Sequence, residues 1–110
     1  MPKFESMVHL LEGMCQEFRP ANAVNERATI QLDLTGAEAG RYWVKIDNGS
    51  CACGRGDAPS PPDVTLLAST EDWLKIINDE MLSITAFLQG KLKVAGSKTI
   101  AIKIQRWFED

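Results

Sequence analysis

The 110-residue chain lacks any uninterrupted apolar stretch of bilayer length. Its first residues, Met1 to Glu12, are broken by Lys3, Glu5, His9 and Glu12, which excludes a signal-peptide core there. It lacks a basic surplus: a formal charge of -3 and a pI near 5.1 do not suit a protein that grips a phosphate backbone, so no nucleic-acid partner is expected. Histidine occurs once, as His9, which leaves Cys-His catalysis almost no material. Cysteine is scarce and odd in number. Cys15, Cys51 and Cys53 carry no export signal beside them and are expected as reduced thiols rather than as a disulfide framework. The terminal Trp107-Phe108-Glu109-Asp110 is not the Ser-Lys-Leu address of peroxisomal import. The expectation is a cytoplasmic protein, and its length suits one domain over residues 1–110 with one core.

What is present is clear periodicity. Phe4, Met7, Val8, Leu11, Met14, Cys15 and Phe18 recur at spacings of three and four, which predicts one amphipathic helix ended by Arg19-Pro20. Ala28, Ile30, Leu32 and Leu34 then alternate with Thr29, Gln31 and Asp33, the pattern of a strand whose polar side faces water. Tyr42, Val44 and Ile46 give a second strand, with Trp43 an aromatic among its polar set. Asn48-Gly49 predicts a type I′ hairpin into a short strand, Ser50 to Cys53, completing a three-stranded meander. Glycines and prolines make residues 54–62 a surface loop before a strand from Val64 to Ala68. Ser69 caps a helix over about 70–78, in which Trp73, Leu74 and Ile77 form the buried side. A short helix opens at Ser83 and ends by Gly90, a fifth strand carries Leu92 and Val94, and Ser97 caps a last helix bearing Ile100, Ala101, Ile104, Trp107 and Phe108. Grouped strands and grouped helices indicate an α+β layer: a five-stranded, largely antiparallel sheet covered by helices.

Three motifs suggest chemistry and are better read as structure. Cys51-Ala52-Cys53 puts two thiols on one side of a strand, but a zinc site needs a second pair of ligands, and only His9 and Cys15 are at hand. Arg55-Gly56-Asp57 and Asn48-Gly49-Ser50 match adhesion and glycosylation signals that operate outside cells, and here they read as turns. No metal, cofactor or catalytic residue is expected.

Pro62-Asp63-Val64-Thr65-Leu66, then Ser69 to Trp73, then Thr85-Ala86-Phe87-Leu88-Gln89-Gly90-Lys91-Leu92-Lys93-Val94-Ala95-Gly96, and the tail Ala101-Ile102-Lys103-Ile104-Gln105, resemble the signature of the sterol carrier protein 2 family. The resemblance runs through the chain in element order, with its specific motif between Pro62 and Gln105. It implies an apolar tunnel between sheet and helices that holds a sterol, a fatty acyl chain or an acyl-coenzyme A, with carriage rather than catalysis as the activity. Three departures stand out. Asp79 replaces a customary glycine, Leu82-Ser83 stand near a usual Asn-Pro, and Lys98-Thr99 replace smaller or apolar residues, which bears on tunnel width and mouth polarity.

The candidate tunnel residues on the helices after the loop are Trp73, Ile77, Met81, Ile84, Phe87, Leu88, Ile100, Ile104, Trp107 and Phe108, with Gln89 a polar anchor or a water-facing residue. On periodicity alone each apolar member reads first as ordinary core, and only the resemblance raises the tunnel reading above that. The last helix is expected to act either as a lid or as a tethered core element. Lys91, Lys93, Lys98, Lys103 and Arg106 form a basic concentration that suits transient contact with a membrane surface, or simply a solvated face. The alternative to a lipid carrier is an interaction or dimerisation module with the same fold, a filled cavity and an exposed Trp43 as its anchor. Sequence leaves the oligomeric state open.

Overall fold

The computed structural model describes residues 4–108. Met1 to Lys3, and the Glu109-Asp110 that complete the terminal tetrapeptide, lie outside the described residues. The chain runs α1 (Met7–Gly13), β1 (Arg27–Thr35), β2 (Gly40–Asp47), β3 (Ser50–Arg55), β4 (Val64–Ser69), α2 (Thr70–Ile77), α3 (Ser83–Leu88), β5 (Leu92–Gly96) and α4 (Lys98–Arg106), with 3-10 turns at Met14–Gln16 and Pro20–Ala23. No described helix is long and apolar enough to cross a membrane.

The five strands lie in the order β3-β2-β1-β4-β5, antiparallel except for the central β1–β4 pair. The period-two pattern sets the register. Ile30 stands opposite Val44 on one side and Val64 on the other, and Leu32 opposite Tyr42 and Leu66. Their side chains, with Leu34, Ile46, Ala68 and Leu92, join the apolar faces of the helices in a single core. At the β2–β3 hairpin Asn48 and Gly49 both have positive φ, 44° and 94°, as a type I′ turn requires. Ser69 and Ser97 cap their helices as expected, their hydroxyls accepting from Asp72 N–H at 3.0 Å and Ile100 N–H at 3.2 Å.

Four expectations are corrected. The N-terminal helix does not reach Phe18: α1 stops at Gly13, against which the Phe4 ring packs so closely that a Cβ would sit 3.0 Å away, and the chain tightens into a 3-10 turn. The break rotates the apolar stripe, burying Leu10 and leaving Val8 46% exposed. Second, the polar side of β1 is not in water. Thr29 and Gln31 are buried because the proline-rich loop folds back over them. Gln31 Nε2 donates to the carbonyls of Tyr42 (2.8 Å) and Gly56 (2.9 Å), its Oε1 accepts from Ala58 N–H (2.8 Å), and Asp63 accepts from Thr29 N–H (2.8 Å). Third, Trp43 is half-buried, its indole lying across Gly54, where a Cβ would come within 2.8 Å of the ring; this close approach also explains a glycine inside β3. An exposed Trp43 anchor is therefore not available.

The fourth correction concerns the thiols. Cys15 and Cys51 form a disulfide, because the 3-10 turn after Gly13 carries Cys15 over the edge strand β3 and brings the two Cα atoms to 5.4 Å. Such a pairing depends on how the turn docks, which residue counting does not reveal. Cys53, on the same side of β3, stays free. Its thiol points at the Leu11 carbonyl, 3.6 Å away, and burial pushes its pKa up, the opposite of an activated nucleophile.

The departure at Asp79 has a backbone cause. Asp79 sits just past α2 with φ of +62°, a left-handed conformation that glycine adopts without a steric cost. Replacing it with glycine is expected to raise stability by roughly 1 kcal/mol and with valine to lower it by about 1–2 kcal/mol, as measured by urea unfolding. A glycine variant less stable than the parent would refute this account.

Candidate functional site

An apolar cavity of about 90 Å³ lies where α3, β5 and α4 meet. Ser83, Ile84 and Phe87 line it from α3, Leu92 and Val94 from β5, and Lys98, Ala101 and Ile102 from α4. Ile84 and Ile102 are 41% and 45% exposed, so the cavity reaches solvent between the two helices. Lys98 lies at this opening, its ammonium 5.7 Å from the centre of the Phe87 ring. Two wider clefts, of about 490 and 380 Å³, are lined by Asp33, Asp72, Lys91 and Lys93 in one and by Arg41, Asp57 and the prolines of the loop in the other. Neither offers the continuous apolar wall of the first.

The eleven sequence-predicted residues divide into three groups. Ile84 and Phe87 line the cavity. Trp73, Ile77, Ile104, Trp107 and Phe108 are packed in the core, and Met81 and Ile100 are partly buried against it. Leu88 and Gln89 project outward at the end of α3, Leu88 with 76% exposure. The cavity residues outside the prediction are Ser83, Leu92, Val94, Lys98, Ala101 and Ile102. The alternation of Leu92 and Val94 against Lys91 and Lys93 carried the signal for β5, whereas Ile102 fell off the apolar stripe of α4.

The elements around the cavity are held unequally. The end of α4 is tied to the N-terminal segment: Arg19 N–H donates to the Trp107 carbonyl (2.7 Å), Asn22 Nδ2 to the Arg106 carbonyl (2.8 Å), Lys103 pairs with Glu26 (3.0 Å), and Phe18 meets Phe108 edge to face. Its buried Gln105 reaches the α2–α3 connection, accepting from Ser83 N–H at 2.9 Å and donating to the carbonyls of Ile76 and Met81 at 3.0 Å. By contrast α3 is six residues long, packs on β5 and α4, and buries only Ser83 and Ala86 fully. Deeper in the core, the Trp73 indole N–H is the one buried side-chain polar atom, among the described residues, without a hydrogen-bond partner. Among those residues no group of three or more His, Cys, Asp or Glu side chains converges to hold a metal ion.

A mixed five-stranded sheet with helices packed on it and an apolar opening at the seam of two of them is an α+β architecture. The model of the SCP-2 sterol transfer family matches residues 10–109, and the chain belongs to that family. It is similar to hydroxysteroid dehydrogenase-like protein 2 of Xenopus tropicalis, 30% identical over 89 residues that make up 76% of this chain and 21% of that protein. The chain thus spans about a fifth of the length of the curated relatives it matches. In fold it is similar to the palmitated SCP2L2 of Aedes aegypti, with a TM-score of 0.68, 20% identity and coverage of 99% of this chain and 96% of that one. It also matches part of the sec-alkylsulfatase Pisa1 from Pseudomonas sp., with a TM-score of 0.80 and 16% identity over 93% of this chain and 16% of that one.

Proposed function

We propose that this chain, as a single domain, binds a sterol, a fatty acid or an acyl-coenzyme A without covalent chemistry, and transfers it, using the seam between α3, β5 and α4 as the binding site. The observation that carries the proposal is the apolar cavity opening beside the least anchored helix, in a member of a sterol transfer family. Each methylene buried there contributes about 0.8 kcal/mol, so a long chain gains useful affinity without a reactive group. A volume of 90 Å³ is small beside the roughly 300–1,000 Å³ of small-molecule sites, so the ligand enters as α3 moves outward and the seam widens into the core. Little apolar area holds α3 in place, which keeps the cost of that opening low. The unpartnered Trp73 N–H supplies an unmet donor for a ligand hydroxyl, carbonyl or carboxylate. The palmitated state of the Aedes aegypti neighbour supports an acyl chain among the candidates.

The near-filled interior favours one competing reading, the interaction or dimerisation module. Hydrogen exchange with and without palmitate separates the two. For a carrier, amides of residues 83–90 exchange at least tenfold faster than those of β1 and β2 in the free protein and slow on adding palmitate. Exchange that palmitate leaves unchanged, together with native mass spectra free of any co-purifying lipid, would establish the module instead.

A further inference from the structure

Lys98 is a cation where the fold gives it no structural reason to be. It is the first residue of α4, directly after the Ser97 cap, where unpaired N–H groups make the helix end positive and favour an acid. The helices otherwise respect that rule: Glu71 and Asp72 stand in the first turn of α2, and Lys103 and Arg106 in the last turn of α4. Nor does Lys98 serve an ion pair. Lys75 and Lys103 each meet a glutamate, whereas no carboxylate pairs with Lys98 among the described residues. It is the one charged side chain lining the apolar cavity, its ammonium 5.7 Å from the centre of the Phe87 ring. It also replaces the smaller or apolar residue of the family pattern. A residue that breaks a local rule with no structural return is where function is expected.

We infer that the ligand of this seam is a single-chain fatty carboxylate held head outward, its tail between α3 and α4 and its carboxylate on the Lys98 ammonium, so that Lys98 determines specificity for the head. The inference rests on the carrier reading and narrows it to one ligand class. The cavity, at about 90 Å³, is smaller than the roughly 150 Å³ that admits a single benzene ring, so a rigid fused-ring sterol needs a far larger opening of the seam than a chain one methylene wide. Between the two polar groups open to a ligand, Lys98 suits a charged head. The Trp73 N–H is fully buried and lies outside the cavity lining, where a carboxylate would lose its hydration without a countercharge. At the mouth the carboxylate keeps part of its water, and the lysine stem extends the apolar wall beside Phe87. An acyl-coenzyme A would place a neutral thioester at this point, with its phosphates farther out.

Equilibrium dialysis of the full chain with radiolabelled dodecanoate and dodecanol, which share a tail and differ in the head, tests the inference. Expected is a preference for dodecanoate of about fivefold, near the upper range for a cation–anion pair at a surface. K98R should keep that preference, K98Q should erase it, and K98E should reverse it. Cholesterol supplied from cyclodextrin should bind about tenfold more weakly than dodecanoate, because the more open state it needs is less populated. Thermal melts of all variants establish that each is folded. Equal binding of dodecanoate and dodecanol by the parent, a preference that K98Q leaves intact, or cholesterol bound as tightly as dodecanoate would overturn the inference and leave the carrier reading standing. Binding of none of the three refutes the carrier reading itself, and this inference with it.

Discussion

Replacing Gln105 with leucine is expected to lower the free energy of unfolding by roughly 3–5 kcal/mol, a large part of the stability of a domain this size. Leucine fills much of the space, but it leaves the Ile76 and Met81 carbonyls and the Ser83 N–H buried without partners, and each such group costs about 1–3 kcal/mol. The deficit can be partly repaired in a way that identifies its source. Ser83 is the first residue of α3, and Leu82 before it is extended, with φ -71° and ψ 137°, the conformation that a residue preceding proline adopts. Ser83→Pro in the parent is expected to cost about 1 kcal/mol, because it takes the donor from Gln105 Oε1. In the Gln105→Leu background the same proline removes an orphaned N–H and should recover about 1 kcal/mol. Urea unfolding of the two single variants and the double variant gives this sign reversal; strict additivity would show that Gln105 acts through bulk rather than through its hydrogen bonds.

The clamp also bears on the proposed function: in the carrier reading α4 is the fixed part of the helical layer and α3 the part that moves. Gln105 joins α4 to the end of α2 and the start of α3, while the ties from Arg19 and Asn22 hold the far end of α4. Motion in the last helix as a lid would have to break these bonds. Motion of α3 about its start has to free Ala86, the partly buried Thr85 and Phe87, and the hydrogen bond from Lys91 N–H to the Ala86 carbonyl, which is less than the ties that hold α4.

The parts of this fold readable in sequence were those governed by local rules. Alternation along residues 28–34 and 42–46, Asn48-Gly49, and the two serine caps depend on backbone geometry within a few residues, and the structure follows them closely. What escaped was set by long-range approach. Gln31 looked solvated because its neighbours alternate, and only the return of a loop 25 residues later buries it. Gln105 occupies a position that any amphipathic helix would assign to a boundary residue. Apolar periodicity likewise marked Trp73, Ile104 and Trp107 but does not distinguish a side chain packed on protein from one facing a cavity, since both require the same hydrophobic residue. The departures from family pattern carried more information about the site. Each of Asp79, Ser83 and Lys98 sits at a defined structural feature: a left-handed residue, the partner of the Gln105 clamp, and the cavity mouth.

Cys15→Ser is expected to cost about 4 kcal/mol in ordinary buffer without reductant, as measured by urea unfolding. The Cys15–Cys51 bond closes a loop of 36 residues, and the chain-entropy cost it removes from folding lies between about 3 kcal/mol for a loop of 15 residues and about 4.7 for one of 100. It also fixes the 3-10 turn after α1 to β3, an edge strand paired only with β2, so its loss frays one side of the sheet. Dithiothreitol should lower the stability of the parent to that of the variant and leave the variant unchanged. Cys53→Ser should cost no more than about 1 kcal/mol, since it removes only a weak S–H bond and some apolar area. In a reducing compartment such as the cytoplasm the bond opens and the domain works with the smaller margin, so the same comparison made inside cells reports on where the protein resides. A parent that dithiothreitol does not destabilise would mean that its thiols are already reduced and that packing alone holds the turn on β3.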